Sequence, residues 1–359
     1  MTVALIGANG HGLWHRRQIR SSAHRLVALC DVAPVADTDG VPVYTDHTAM
    51  LAEHHPDIVI VVTPPPTHLP IAVDALRSGA DVLLEKPPVL SLAEHDALAA
   101  VMAETGRAVQ VGFQALGSAA LTRLLEAIDA GRLGTVTGVA AAGAWWRPDA
   151  YWTRSSWAGR RAVDGALVNA FAHAVMQSLA IARASCPPAG APTVDLERFR
   201  TRDIGTDDTA CLRLTGPEPS VPIITVAVTL CAAEFVAGAI TVTGTDGTAV
   251  LEYPTDRLKL PGDDDFVDVP GRRSLLDDLA GGCPLIAPLE RTRPFTALVE
   301  RIAAAPDPVR VDDRFLVDHP DGAGRAIAGV ADAVRAAAAH HALWSEIGVP
   351  WAGSGGTPS

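Results

Sequence analysis

The sequence predicts a two-domain α/β protein: a doubly wound parallel sheet first, then an α+β domain built largely on an antiparallel sheet. Three observations predict it. Strand and helix signals alternate through residue 117. The glycine cluster Gly7-Ala8-Asn9-Gly10-His11-Gly12 falls where the first strand meets the first helix. Beyond Gly117 strand signals cluster, and Thr243-Gly244-Thr245-Asp246-Gly247 reads as a hairpin turn.

The elements follow in order. Val3–Ile6 is a short apolar run, and a helix continues from the glycines to about Arg20. Leu26–Cys30 is the second strand, closed by Asp31, and Asp46 caps a short helix ending at His54. Asp57–Val62 is a continuous β-branched run, as a central strand covered on both faces requires. A helix over His68–Arg77 stops before Gly79, Asp81–Leu84 is the next strand, and Ser91 with Glu94 starts a helix to Ala103. Ser118–Ala130 reads as one amphipathic helix. Strands are predicted over Thr135–Ala144, Thr209–Leu214, Ile223–Leu230, Ala239–Thr243 and Thr248–Tyr253, with a helix over Gly165–Arg183. Ala323–Ile347 reads as a long alanine-rich helix. The predicted divisions are 1–117, 118–350 and a fraying tail, 351–359.

Composition narrows the function. The chain has 359 residues, 48% apolar and 19% charged, which is a globular balance. A net charge of −12 argues against a nucleic-acid partner, because phosphate binding needs a basic face. The most hydrophobic longer stretch, Ala166–Ala182, contains Asn169, His173 and Gln177 and does not read as a membrane span. Five scattered cysteines without a CxxC pair point to thiols in a reducing compartment, and the expected location is cytoplasmic.

A glycine turn between strand and helix lets backbone N–H groups and the helix N-terminus meet a pyrophosphate. Gly7 and Gly12 fill the outer positions of GxGxxG, Asn9 stands at the second glycine and Gly10 follows. Alone, the cluster is equally a turn without a ligand. Asp31, 24 positions after Gly7, adds a carboxylate that suits the ribose hydroxyls of NAD and repels the 2′-phosphate of NADP. Lys86 follows a buried strand at the carboxyl edge of this Rossmann-type sheet, stiffened by two prolines. It is either a solvated strand-end lysine or a donor that stabilises a developing alkoxide.

Thr63-Pro64-Pro65-Pro66-Thr67-His68, Glu85-Lys86-Pro87, Val111-Gly112-Phe113-Gln114 and Gly131-Arg132-Leu133-Gly134 carry a resemblance to the glucose–fructose oxidoreductase / inositol dehydrogenase / rhizopine-catabolism (Gfo/Idh/MocA) family. The likeness extends to the Val242–Gly247 turn. It implies a Rossmann domain, then an α/β domain with a large, mostly antiparallel sheet, and a cis Lys86–Pro87 peptide. It implies NAD held by Gly7, Asn9, Gly10, His11, Gly12, Asp31, Thr63, Pro64, Pro65, His68, Glu85, Lys86 and Gln114. It also implies a homodimer or homotetramer acting on a carbinol of a sugar, aminosugar or cyclitol.

The family's Asp-x-x-x-His helix matches Asn169 and His173, which i,i+4 spacing places on one helical face. His173 then takes the hydroxyl proton. Asn169 stands where the family has aspartate, and an amide cannot stabilise an imidazolium by charge. It is a working variant, or Asp164 serves instead, or the site no longer performs ordinary dehydrogenation. A redox-neutral cycle on bound NAD and a non-catalytic NAD-binding protein therefore stay open. Four tryptophans and four arginines crowd 145–161, where Trp146, Arg147, Trp157, Arg160 and Asp164 are candidates for substrate contact or for ordinary packing. No metal is expected. His11 and His15 have helical spacing but lack a neighbouring carboxylate in sequence.

Overall fold

A computed structural model describes residues 1–161, 163–186 and 190–353. By contacts the chain divides into two units: Met1–Gln114 with Arg273–Ile302, and Ala115–Arg272 with Ala303 onward.

The first unit carries strands β1 (Thr2–Ile6), β2 (Arg25–Cys30), β3 (Val43–Tyr44), β4 (Ile58–Val61), β5 (Asp81–Leu84) and β6 (Val109–Val111). They form one parallel sheet in the order β3-β2-β1-β4-β5-β6, the doubly wound arrangement. Helices α1 (Gly12–Arg20), α2 (His47–His54), α3 (His68–Arg77) and α4 (Leu92–Thr105) connect them. Val3, Leu5 and Ile58–Val61 are essentially inaccessible to solvent, and each such side chain contributes roughly 1.5–3 kcal/mol of burial. Asp46 accepts the Thr48 N–H, and Ser91 accepts the Glu94 N–H, so both expected caps form. Strand order reverses between β1 and β4, so their carboxyl ends open the crevice where such sheets take ligands.

The second unit holds α5 (Ala119–Asp129), β7 (Val136–Trp146), α6 (Ala172–Ser185), β8 (Thr193–Arg200), β9 (Thr209–Thr215), β10 (Ile223–Thr229), β11 (Cys231–Gly244), β12 (Thr248–Glu252), β13 (Arg257–Lys259) and β14 (Val267–Asp268). Its nine-stranded, mostly antiparallel sheet runs β14-β13-β12-β11-β7-β10-β9-β8-β15, where β15 is Val309–Arg310. β16 (Leu316–Asp318) and β17 (Arg325–Ile327) form a separate hairpin before α9 (Val330–His340).

Three expectations are corrected here, and one strand that the sequence did not announce is added. The segment holding α7 (Leu275–Ala280) and most of α8 (Leu289–Ala304) returns to the first unit, so 118–350 is not one continuous domain. Gln110 Nε2 donates to Leu275 O at 2.5 Å, the Ala287 N–H donates to Gln110 Oε1 at 3.0 Å, and Phe113 meets Phe295 edge-on. The alanine-rich helix covers only Val330–His340, because Gly329 and His341 adopt left-handed backbone at its ends. β8 escapes the hydrophobic pattern because its charges are satisfied in place: Asp195 by Arg213, Arg198 by Asp207, and Glu197 by the Trp344 N–H. The tail does not fray at 351. Trp351 is buried, 4.8 Å centroid to centroid from Trp344, and residues from 354 on lie outside the described residues.

Candidate functional site

In the first unit the glycine turn is shaped by close approach. A Cβ on Gly12 would stand 1.9 Å from the Gly7 carbonyl oxygen, and one on Gly7 would stand 2.6 Å from that of Val62. Gly7 and Gly10 both have positive φ, yet the space beside Gly10 is open. Gly12 N–H donates to Asn9 O and Leu13 N–H to Gly10 O, leading the chain into α1. Among the described residues no acceptor takes the N–H of Gly10 or His11, which leaves donors at the positive end of the helix. Such a cradle fits a pyrophosphate.

Asp31 is fixed beside it. Its Oδ2 accepts the Asn9 N–H at 3.0 Å and its Oδ1 the Ala33 N–H at 2.9 Å. Each oxygen keeps a second lone pair, so the carboxylate can still accept two hydroxyls. Thr63 and Pro64 follow β4, where Thr63 Oγ1 accepts from Thr67. Pro65 is buried at the start of a short 3-10 turn. The buried His68 ring joins this loop to the next: Nε2 lies 2.7 Å from Thr63 O and Nδ1 2.9 Å from Pro87 O. Burial pushes the imidazole below its ordinary value, and this outweighs the two carbonyl contacts. The Lys86–Pro87 peptide is cis and Lys86 is half-buried. Gln114 is half-buried at the start of a 3-10 turn.

Glu85 gathers the two histidines of α1. Its Oε1 lies 3.0 Å from His15 Nε2 and 3.4 Å from His11 Nε2. Burial would raise its carboxyl, but hydrogen bonds from His11 and His15 hold it well below the ordinary carboxylate range.

In the second unit the expected single helix from Gly165 is broken. Residues Ala166–Ala170 form a π turn, Phe171 departs to φ −106°, and α6 starts at Ala172. Gly165 has φ +133°, and a Cβ there would stand 2.8 Å from Thr206 Oγ1. Asp207 fixes the first turn by accepting the Ala166 N–H on Oδ2, while Arg198 holds its Oδ1 at 2.8 Å. Both of those side chains are almost fully buried. Asn169 therefore lies in the π turn and half-buried His173 in the first turn of α6, so the simple i,i+4 α-helical face does not apply.

The Asn169 amide donates to Asp164 Oδ1 at 2.8 Å. Asp164 also accepts the Gly159 N–H and pairs with Arg154. A carboxylate five positions earlier in the chain thus reaches the asparagine directly. Arg154 lies 3.7 Å over the Tyr151 ring and 4.7 Å over Trp157. Burial, reinforced by the Asp164 charge, pushes the Tyr151 phenol up. Arg147 stands over Trp145 and Tyr151, and Trp146 stacks on His319 at 3.9 Å. Arg160 is exposed. Tyr151, Arg154 and His319 were not singled out from sequence. The arginine and tryptophan density marked the loop but not which arginine meets the carboxylate.

Residues 1–113 match the family model described as "Oxidoreductase family, NAD-binding Rossmann fold", and residues 121–250 match the "GFO/IDH/MocA C-terminal domain". An inositol 2-dehydrogenase of Streptomyces avermitilis is 35% identical over 141 residues, covering 37% of this chain and 41% of that protein. A scyllo-inositol 2-dehydrogenase (NAD(+)) of Bacillus subtilis is 31% identical over 139 residues, covering 36% and 41%. The chain thus spans about two fifths of the length of these curated relatives. The WlbA dehydrogenase of Bordetella pertussis, solved with NADH and UDP-GlcNAcA, shares the fold at 22% identity and a TM-score of 0.70, covering 86% of this chain and 99% of that one.

Proposed function

The chain belongs to the GFO/IDH/MocA oxidoreductase family, and on that premise we propose an NAD-dependent dehydrogenase acting on a secondary alcohol of a sugar, aminosugar or cyclitol. The observation that carries the reading is Asp31, held by the Asn9 and Ala33 N–H groups beside the unpartnered amides of Gly10 and His11. Gly7, Asn9, Gly10, His11 and Gly12 would cradle the pyrophosphate and Asp31 the ribose. Thr63, Pro64, Pro65, His68, Glu85, Lys86 and Gln114 would line the rest of the cofactor site. NAD, when bound, supplies the two-electron acceptor for the carbinol carbon.

The Lys86 ammonium donates a hydrogen bond to the reacting oxygen and stabilises charge that develops on it. His173 takes the hydroxyl proton. Asn169, held by Asp164, acts as a positioning residue through its amide, and the anionic partner the family places at that position is supplied by Asp164 itself. Trp146, Arg147, Trp157, Arg160 and Asp164 contribute the substrate side, with aromatic faces for sugar C–H surfaces and guanidinium forks for oxygen. The names of the inositol dehydrogenases support a cyclitol alcohol, and the WlbA complex supports an aminosugar one.

The same reading places the enzyme in the cytoplasm as a homodimer or homotetramer. Five scattered cysteines without a CxxC pair support a reducing compartment, and among the described residues no helix is long and apolar enough to cross a membrane. Lys86→Met tests the catalytic assignment: turnover across a polyol panel is expected to fall by roughly a hundredfold or more, with NADH affinity retained. Near-normal turnover in that variant rules the role out.

A further inference from the structure

His11 and His15 stand one turn apart at the start of α1, and Glu85 follows β5. Folding supplies the carboxylate that the histidine pair lacks in sequence. Glu85 Oε1 lies 3.0 Å from His15 Nε2 and 3.4 Å from His11 Nε2, and the three ligand atoms lie within 4.8 Å of one another. A four-coordinate zinc-class ion holds its ligand atoms about 3.3 Å apart. We propose that His11, His15 and Glu85 form a binding site for a divalent transition-metal ion of the zinc class.

The carboxylate is already aimed. Glu85 Oε2 accepts the Lys86 N–H at 3.1 Å, which leaves Oε1 directed to the imidazoles. Gly112 lies against its other side, where any Cβ would come within 3.0 Å of the carboxylate. The His11 ring stacks on Trp14 with 5° between planes, and Trp14 meets His15 edge-on. These contacts set the orientation of both rings before an ion enters. His15 is buried, while the His11 side chain is 52% exposed and provides the way in. The start of α1 carries partial positive charge, which the carboxylate opposes. Two imidazoles and one carboxylate favour zinc, cobalt or nickel over magnesium or calcium, and the fourth position falls to water. His11 and Glu85 also belong to the proposed cofactor site, so metal binding is measured in the absence of dinucleotide.

The test is a Co2+ titration of the full chain without dinucleotide, followed in the visible spectrum. One equivalent is expected to give the intense bands of a four-coordinate ion, displaced by Zn2+ and untouched by Mg2+. His11→Ala, a change at an exposed ring, is expected to weaken binding by roughly tenfold or more, and Glu85→Gln likewise. X-ray absorption of the zinc complex should show two imidazoles. Equal cobalt affinity in the wild type and His11→Ala, or a zinc spectrum without imidazole, would overturn the proposal.

Discussion

Two glycine-led turns hold the residues of the proposed chemistry, one in each unit, and they are held differently. From Gly7 to Gly12 the backbone holds itself: Gly12 N–H reaches Asn9 O, Leu13 N–H reaches Gly10 O, and Gly12 packs on the Gly7 carbonyl. From Gly165 to Ala170 the backbone leans on distant side chains. Asp207 takes the Ala166 N–H, Thr206 donates to Asp164 O, and Arg198 compensates the buried Asp207. The first turn is written as glycine spacing. The second needs polar partners about forty residues away, and a local pattern cannot announce them.

The largest effect should come from breaking the second scaffold. Asp207→Ala removes the carboxylate from the buried Arg198 guanidinium, and urea unfolding should show a loss of about 3–5 kcal/mol. A well-packed Asp207→Leu/Arg198→Met pair should recover much of it; if the single change is as mild as the pair, the ion pair is not what holds the turn.

The first turn should answer to volume. Gly12→Val places carbon against the Gly7 carbonyl, and thermal unfolding should show a cost of about 1–3 kcal/mol, with NADH binding lost. Gly10→Asn, beside open space, should cost under about 1 kcal/mol, because Asn visits left-handed backbone readily. Equal penalties at the two positions would remove the steric account.

A smaller effect separates recognition from folding. Asp31→Ser should narrow any preference for NADH over NADPH by roughly tenfold or more without moving the melting temperature, as fluorescence titration and thermal melts would show. The smallest concerns pH. His68 is held below its ordinary value near 6.5 by burial, so as pH falls through that value the unfolded chain takes up the proton first. Stability therefore declines on acidification, and His341, also held low by burial, adds to the slope. His68→Gln should flatten part of that decline in melts between neutral and mildly acidic pH. An unchanged slope would acquit His68.

This contrast also explains what the sequence made legible. The parallel sheet was readable because β4 is a bare β-branched run and because Asp46 and Ser91 cap their helices in place. The positions of Asp31 and Lys86 just beyond β2 and β5 were readable because both strands end where their apolar runs end. The π turn was not, since Ala166–Ala170 has ordinary helical composition and its shape comes from Asp207. Nor was the Arg154–Asp164–Asn169 chain, whose members are polar residues with many available partners. The return of 273–302 to the first unit depends on Gln110 and His95 reaching across 165 and 194 positions, a separation that periodicity cannot register.

The central claim is a dinucleotide site selective for NAD that serves dehydrogenation. Fluorescence titration of the full chain with NADH and then NADPH tests it most directly. The account expects saturable NADH binding, clearly tighter than NADPH. Binding of neither, or a preference for NADPH, would contradict the assignment of Asp31 and the glycine turn, and the dehydrogenase reading would fall with them.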